Sequence, residues 1–210
     1  KNSPSVLLEY CPFNLDKVIK EKIFSNSQIA ISIYQIAEGM KYLHHNKIIH
    51  KNLNPSNIFI TDNQMIKIAD FGIIKMIETE EQEIDGIFGV QKFMAPEIIN
   101  EEDNYDEKVD VYSFGVLVFF ILNEGKLPKI TLPQIAAGKK AEIPTTFTKF
   151  AKELIEKCWR FDPKDRPDFN TICEEIINNE FKLIELSRKD DSDIQEFFNQ
   201  YKQTIPLYIE

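Results

Sequence analysis

The chain has 210 residues, 43% of them hydrophobic, and a formal net charge of −9 at pH 7. That length and apolar content suit one compact domain with a sizeable core, and the acidic balance argues against nucleic-acid binding, which needs clustered Lys and Arg. No apolar run could span a bilayer and no secretory leader opens the chain; Cys11, Cys158 and Cys173 are an odd number without a C-x-x-C pair, so a reduced, cytoplasmic setting is expected.

In chain order, Val6 to Tyr10 reads as a short strand that stops at Cys11-Pro12, where proline cannot continue a ladder. From Ser25 to Asn46, the residues Ile29, Ile33, Ile36, Met40 and Leu43 recur at spacings of four and three, the stripe of a long amphipathic helix with N-cap candidates at Ser25 to Ser27. Asn57 to Ile60 and Met65 to Ile68 flank the turn Thr61-Asp62-Asn63 and predict a small hairpin. Val109 to Leu122 is apolar on nearly every face, which for a helix means burial all round. Helical segments follow over Thr131 to Lys139, Phe147 to Trp159 and Asp168 to Asn179, separated by Pro144, Asp162-Pro163 and Arg166-Pro167. After Phe181 a further helix is expected around Ile194 to Tyr201, then a short extended end. Repeats and low-complexity tracts are absent.

Four motifs occur in a fixed order: His50-Lys51-Asn52-Leu53-Asn54-Pro55-Ser56-Asn57, then Ala69-Asp70-Phe71-Gly72, then Met94-Ala95-Pro96-Glu97, then Asp110-Val111-Tyr112-Ser113-Phe114-Gly115. In these the chain resembles the large lobe of a eukaryotic protein kinase. The stretch from Cys158 to Phe169 is most similar to the tyrosine-kinase-like group. The resemblance implies an α+β fold, mostly α, with a small hairpin at the catalytic edge. Residues 1–180 would form the kinase-like domain and 181–210 a helical extension. The family's glycine-rich loop, phosphate-pairing Lys and orienting Glu lie upstream of the hinge strand, so the small lobe is expected to be missing. The apolar face near Leu8, Phe59 and Phe71 is then expected to be covered by a small lobe or another protein.

The resemblance also assigns roles, and here the sequence departs from the pattern. Asn52 stands where the family has the Asp that accepts the substrate hydroxyl proton, a group worth roughly 10²–10⁴-fold in rate. Asn54 replaces the Lys that steadies the transferred phosphoryl group, and Val90 replaces a Thr that would bond both loop side chains. Asn57 and Asp70 match the Mg²⁺ ligands, and their hard oxygens suit that ion; taken alone, Asp70 would be an ordinary turn residue. Backbone groups of Glu9 and Cys11 would meet an adenine edge, with Phe59 under the ring. Glu97 and Arg166 match a buried ion pair, Asp110 a carboxylate that binds the loop backbone, and His50, Phe71 and Gly72 packing positions. Lys51 replaces the family's phosphate-clamping Arg. The acidic run Glu78, Glu80, Glu81, Glu83 and Asp85, with Thr79 its only hydroxyl, is expected to pair with Lys51 or simply to be solvated.

Three readings fit these residues. One is a pseudokinase that binds protein partners in signalling, with Mg²⁺ and ATP held weakly in this chain alone. The second is an active protein kinase that tolerates Asn52, and the third a truncated, non-functional fragment.

Overall fold

A capping box starts the longest helix. Ser25 Oγ accepts from Gln28 N–H while Gln28 Oε1 accepts from Ser25 N–H, so two otherwise orphaned donors are satisfied at its first turn. This helix, α2 (Asn26–His45), buries Ile33, Ile36, Met40 and Leu43. The computed structural model describes residues 9–70, 91–102 and 104–204, so the acidic run and the first part, Val6 to Leu8, of the strand expected over Val6 to Tyr10 lie outside the described residues, while Glu9 and Tyr10 are not in a strand and the paired residues come only after Pro12. Before α2 come β1 (Phe13–Asn14) and α1 (Leu15–Lys20), the latter capped by Asn14 Oδ1 on Lys17 N–H. Neither was legible in the sequence, because two residues of strand and six of helix are too few for either period to repeat.

The hairpin forms from β2 (Ile58–Ile60) and β3 (Ile66–Ile68), antiparallel with Ile58 opposite Ile68 and Phe59 opposite Lys67. It is not two-stranded as expected: β1 adds on the β2 side, pairing Phe13 with Ile60 and Asn14 with Phe59. Pro12 fits there because it precedes the paired residues and owes the ladder no N–H.

The second half is helical: α3 (Pro96–Ile99), α4 (Lys108–Leu122), α5 (Leu132–Ala136), α6 (Lys149–Cys158), α7 (Phe169–Asn178) and α8 (Arg188–Thr204). Helix α4 is buried from Val109 to Ile121 without a break, as its uniformly apolar sequence requires. It packs on α6, while α2 packs on α7 and α8. Helix α8 begins six residues before Ile194 because Ser187 and Asp190 form a reciprocal cap, with Ser187 N–H on Asp190 Oδ2 and Asp190 N–H on Ser187 Oγ. Residues beyond 180 lie against α2: the Tyr34 ring sits 5.2 Å from Phe181 and 5.6 Å from Phe198. Among the described residues, no helix is long and apolar enough to cross a membrane.

The contact of α4 with α6 depends on Gly115. A Cβ there would lie 2.6 Å from Cys158 Cβ and 2.9 Å from Trp159 Cδ1 and Nε1, atoms of two buried residues. Gly115→Ala should therefore destabilise the protein by about 1–3 kcal/mol in urea unfolding; an unchanged midpoint would show that the helices can part without loss.

Candidate functional site

The site is a loop hung from one carboxylate. Asp110, at 0% exposure in the first turn of α4, accepts from His50 N–H and Lys51 N–H at 2.8 Å each and bonds His44 Nε2 at 2.9 Å. Charge-assisted bonds of this kind contribute roughly 1.5–3 kcal/mol each. They hold Lys51 in the left-handed region, φ 67°, which a Lys rarely adopts unaided. The Lys51 ammonium lies 5.1 Å from the Tyr105 ring centroid, a cation–π contact. The acidic residues expected to pair with it lie outside the described residues, as do Phe71, Gly72 and Val90.

Beyond Lys51 the loop is knitted by amides. Asn54 Oδ1 accepts from Ser56 N–H at 3.0 Å, and a backbone N–H can only donate, so the Nδ2 end of Asn54 must face Asn52. There it donates to Asn52 O and to Asn52 Oδ1, both at 2.9 Å. Asn54 is 3% exposed and all its bonding capacity faces inward. With one lone pair of its Oδ1 taken by Asn54, Asn52 offers a ligand its NH₂ donors and the rest of a neutral amide oxygen, where the resemblance calls for a carboxylate.

Asn57 Nδ2 donates to Asn52 O at 2.8 Å, which leaves Asn57 Oδ1 free of that bond. Ala69 N–H binds Asn57 O at 2.9 Å and fixes β3 beside the loop, so the next residue, Asp70, is delivered next to Asn57. Asp70 is exposed and also left-handed, φ 58°. The two oxygens suit Mg²⁺, which takes one or two protein ligands and fills its shell with phosphate and water. An all-protein cage is not what they form: among the described residues no cluster of three His, Cys, Asp or Glu side chains could hold a metal.

The expected adenine-side residues are spread across the sheet, with Phe59 on the central strand β2 and Cys11 just before β1. Glu9 Oε2 meets Lys67 Nζ at 3.1 Å, and Lys67 is the cross-strand partner of the half-buried Phe59. Cys11 is a half-buried free thiol. Cys158 and Cys173 are buried, and burial pushes both thiols up, Cys158 to about 12, so neither is a nucleophile at neutral pH.

Glu97 and Arg166 form the buried pair the resemblance implies. Arg166 Nη1 and Nη2 meet the two carboxylate oxygens at 2.6 and 2.9 Å. The remaining donors reach Arg160 O, Lys108 O and Phe161 O, so all five N–H groups of the guanidinium are used and its face lies over Tyr112. Motif spacing pointed to the ion pair but not to the three carbonyls. His44 is the functional neighbour that sequence reasoning missed; a histidine at the buried end of the α2 stripe was its only signal.

The family of protein tyrosine and serine/threonine kinases matches residues 1–176. The chain belongs to the protein kinase family. This kinase domain is 35% identical over 160 residues to serine/threonine-protein kinase STY17 of Arabidopsis thaliana, covering 73% of the chain and 27% of that protein. It is 31% identical over 209 residues to fibroblast growth factor receptor 1 of Xenopus laevis, covering 95% of the chain and 25% of the receptor. The probable serine/threonine-protein kinase nek3 of Dictyostelium discoideum is 29% identical over 206 residues, 91% of the chain and 18% of that protein. The kinase domain thus spans only a fraction of each relative's length.

His50 gives the loop a pH response. The ring is fully buried, and its Nδ1 accepts from Asn52 N–H at 3.3 Å, so a proton on Nδ1 would break that bond. Burial holds its pKa below the usual 6.5, against the upward pull of Asp110, the His50 and Ala69 carbonyls and Asp70. The unfolded chain therefore takes up the proton first, and stability is complete above pH 6.5 and falls as pH drops from there through the lower folded-state value. His50→Phe should flatten that part of the urea-stability profile; wild type and variant declining in parallel would remove His50 from the account.

Proposed function

We propose that this kinase domain is catalytically impaired and acts in signalling through protein partners, as a scaffold or allosteric element, while keeping oxygen ligands for a magnesium nucleotide. The observation that carries the reading is the bond from Asn54 Nδ2 to Asn52 Oδ1. A carboxylate at that position would accept the hydroxyl proton of a substrate; the amide offers a donor, and amide oxygen is no base at neutral pH. The loss of the Lys charge at position 54 compounds this, although the two groups act as a unit and their effects do not add.

In this reading Asn57 Oδ1 and the Asp70 carboxylate hold Mg²⁺, which when bound neutralises charge on the nucleotide phosphates. The backbone at Glu9 and Cys11 and the Phe59 ring border the adenine. A small lobe or another protein closes the open face, and the buried, unreactive thiols suit a reducing, cytoplasmic setting.

A second reading, residual transfer of the γ-phosphate to protein hydroxyls, draws on the names of the relatives, several of them serine/threonine kinases. It draws also on the intact suspension of the loop from Asp110. One experiment separates the two. In a polypeptide that carries a small lobe, Asn52→Asp combined with Asn54→Lys should raise peptide phosphorylation by about 10²-fold or more. Equal rates in wild type and variant would overturn the proposed impairment.

The metal-nucleotide part is tested separately by thermal unfolding of the same polypeptide. Mg-ATP should raise Tm, by an amount set by RT ln(1+[L]/Kd), and Asp70→Ala should abolish the rise. A rise that survives the substitution removes Asp70 from the metal site.

A further inference from the structure

We propose that the cleft between α2, α8 and the turn joining β2 to β3 is a docking groove, which takes an extended segment of a partner protein carrying an arginine or lysine close to an apolar residue. This names the chemistry of a partner and so rests on the partner-binding reading above. It uses no group of the nucleotide site, because the turn lies at the far end of the hairpin from Asn57 and Asp70.

The first observation is a cleft whose walls are tied in place. It has about 510 Å³ of free room, within the range of roughly 300–1,000 Å³ over which ligand sites fall. Ser27 joins α2 to α8, its N–H bonded to Asp190 Oδ1 and its Oγ to Asp193 Oδ2, both at 3.1 Å. Gln28 Nε2 joins α2 to the turn through Gln64 Oε1 at 2.7 Å. A cleft braced in this way loses little conformational freedom when a ligand enters.

The second observation is an unanswered donor inside it. Gln35 is 8% exposed and lines the cleft. A backbone N–H can only donate, so the bond from Ile66 N–H at 2.9 Å fixes Oε1 of Gln35 on β3 and leaves Nε2 as the other end. Among the described residues that NH₂ group donates to nothing, and it is not sealed from solvent, so the opening it meets is the cleft. A nearly buried donor without an acceptor calls for one from outside. Every extended polypeptide carries such acceptors in its backbone carbonyls.

The third observation is charge, and it selects the occupant. Asp190, Asp193 and Glu196 line the cleft against a single cation, Lys189. The bond from Ser27 leaves Oδ1 of Asp193 unused, and Gln200 Nε2 takes only Oε1 of Glu196, at 3.2 Å. These two residues stand one turn apart on the same side of α8. Among the described residues no Lys, Arg or His pairs with any of the three carboxylates, not even Lys189, four residues before Asp193. Phe24, Ile31 and Met65 make the apolar part of the lining. A small cation would use the carboxylates alone, whereas a polypeptide uses the carboxylates, the apolar lining and the Gln35 donor together. Gln35 lies about 12 Å along α2 from Ser27, a span that three or four extended residues cover.

In the 210-residue chain, the ¹H–¹⁵N spectrum is followed while an end-blocked octapeptide with two arginines followed by two leucines is added. The peptide should shift the side-chain NH₂ signals of Gln35 saturably, and the same peptide with alanine for both leucines should bind at least about fivefold weaker. Asp193→Asn with Glu196→Gln keeps an acceptor for Ser27 and should weaken binding about tenfold without changing the rest of the spectrum; Glu196→Gln alone, at an exposed position, should weaken it about threefold. The groove is overturned if the Gln35 signals do not move, or if the double variant binds as well as wild type. Equal affinity for the two peptides would reduce the contact to a diffuse attraction of cations to an acidic surface and overturn the docking assignment. Because phosphoryl transfer is not read, failure here is distinguishable from failure of the proposed impairment.

Discussion

The carboxylate of Asp110 organises the loop on which any chemistry in this domain depends. It has no contact with solvent, yet it meets three donors, two of them backbone N–H groups of consecutive residues. Taking an ion out of water is costly unless bonds replace its hydration. That condition fixes the backbone of His50 and Lys51 against α4 and forces the left-handed turn at Lys51. The positions of Asn52, Asn54 and Asn57 follow from that turn. A second buried ion, Arg166, holds the same N-terminal end of α4 through the Lys108 carbonyl, where Glu97 and three carbonyls use up its donors. The two ions secure the helix that is least able to discriminate among its own faces, since α4 is apolar on all of them.

Between these anchors the loop keeps its shape while its reacting groups differ from the family pattern. The amide of Asn57 still braces the Asn52 carbonyl, and Ala69 still brings Asp70 alongside. What differs is polarity at the front. Two neutral amides close on each other where the family pattern has an anion beside a cation. A loop can thus retain the architecture of a phosphoryl-transfer site and present a different set of donors and acceptors, because backbone geometry and front-face chemistry are held by separate bonds.

Much of this was readable from the residues. The α2 stripe, the all-round burial of α4 and the hairpin follow from periodicity, and the site positions follow from motifs in order. What the sequence withheld were relations between residues that no spacing encodes. Asn52 and Asn54 can be named from their positions, but which atom of each faces the other depends on Ser56 N–H, a contact made only in the folded loop. The expected partner for Lys51 was the acidic run; the described contact is the Tyr105 ring, far along the chain and without a motif. The start of α8 was a different failure, since Ser187 and Asp190 carry a recognisable capping pattern that was passed over in favour of the apolar residues after it. Helix α1 and strand β1 are too short for periodicity to separate from noise.

The mutual bond between Asn52 and Asn54 has one more consequence. A carboxylate and an ammonium at these positions would each change charge at some pH, and the balance of protons at the loop front would change with them. An amide pair has none to gain or lose between strong acid and strong base. Whatever meets the Asn52 side chain, whether nucleotide, peptide or water, finds the same hydrogen-bonding partner and the same zero charge across the whole physiological range. The pH sensitivity of the loop is displaced behind its front, into the buried ring of His50.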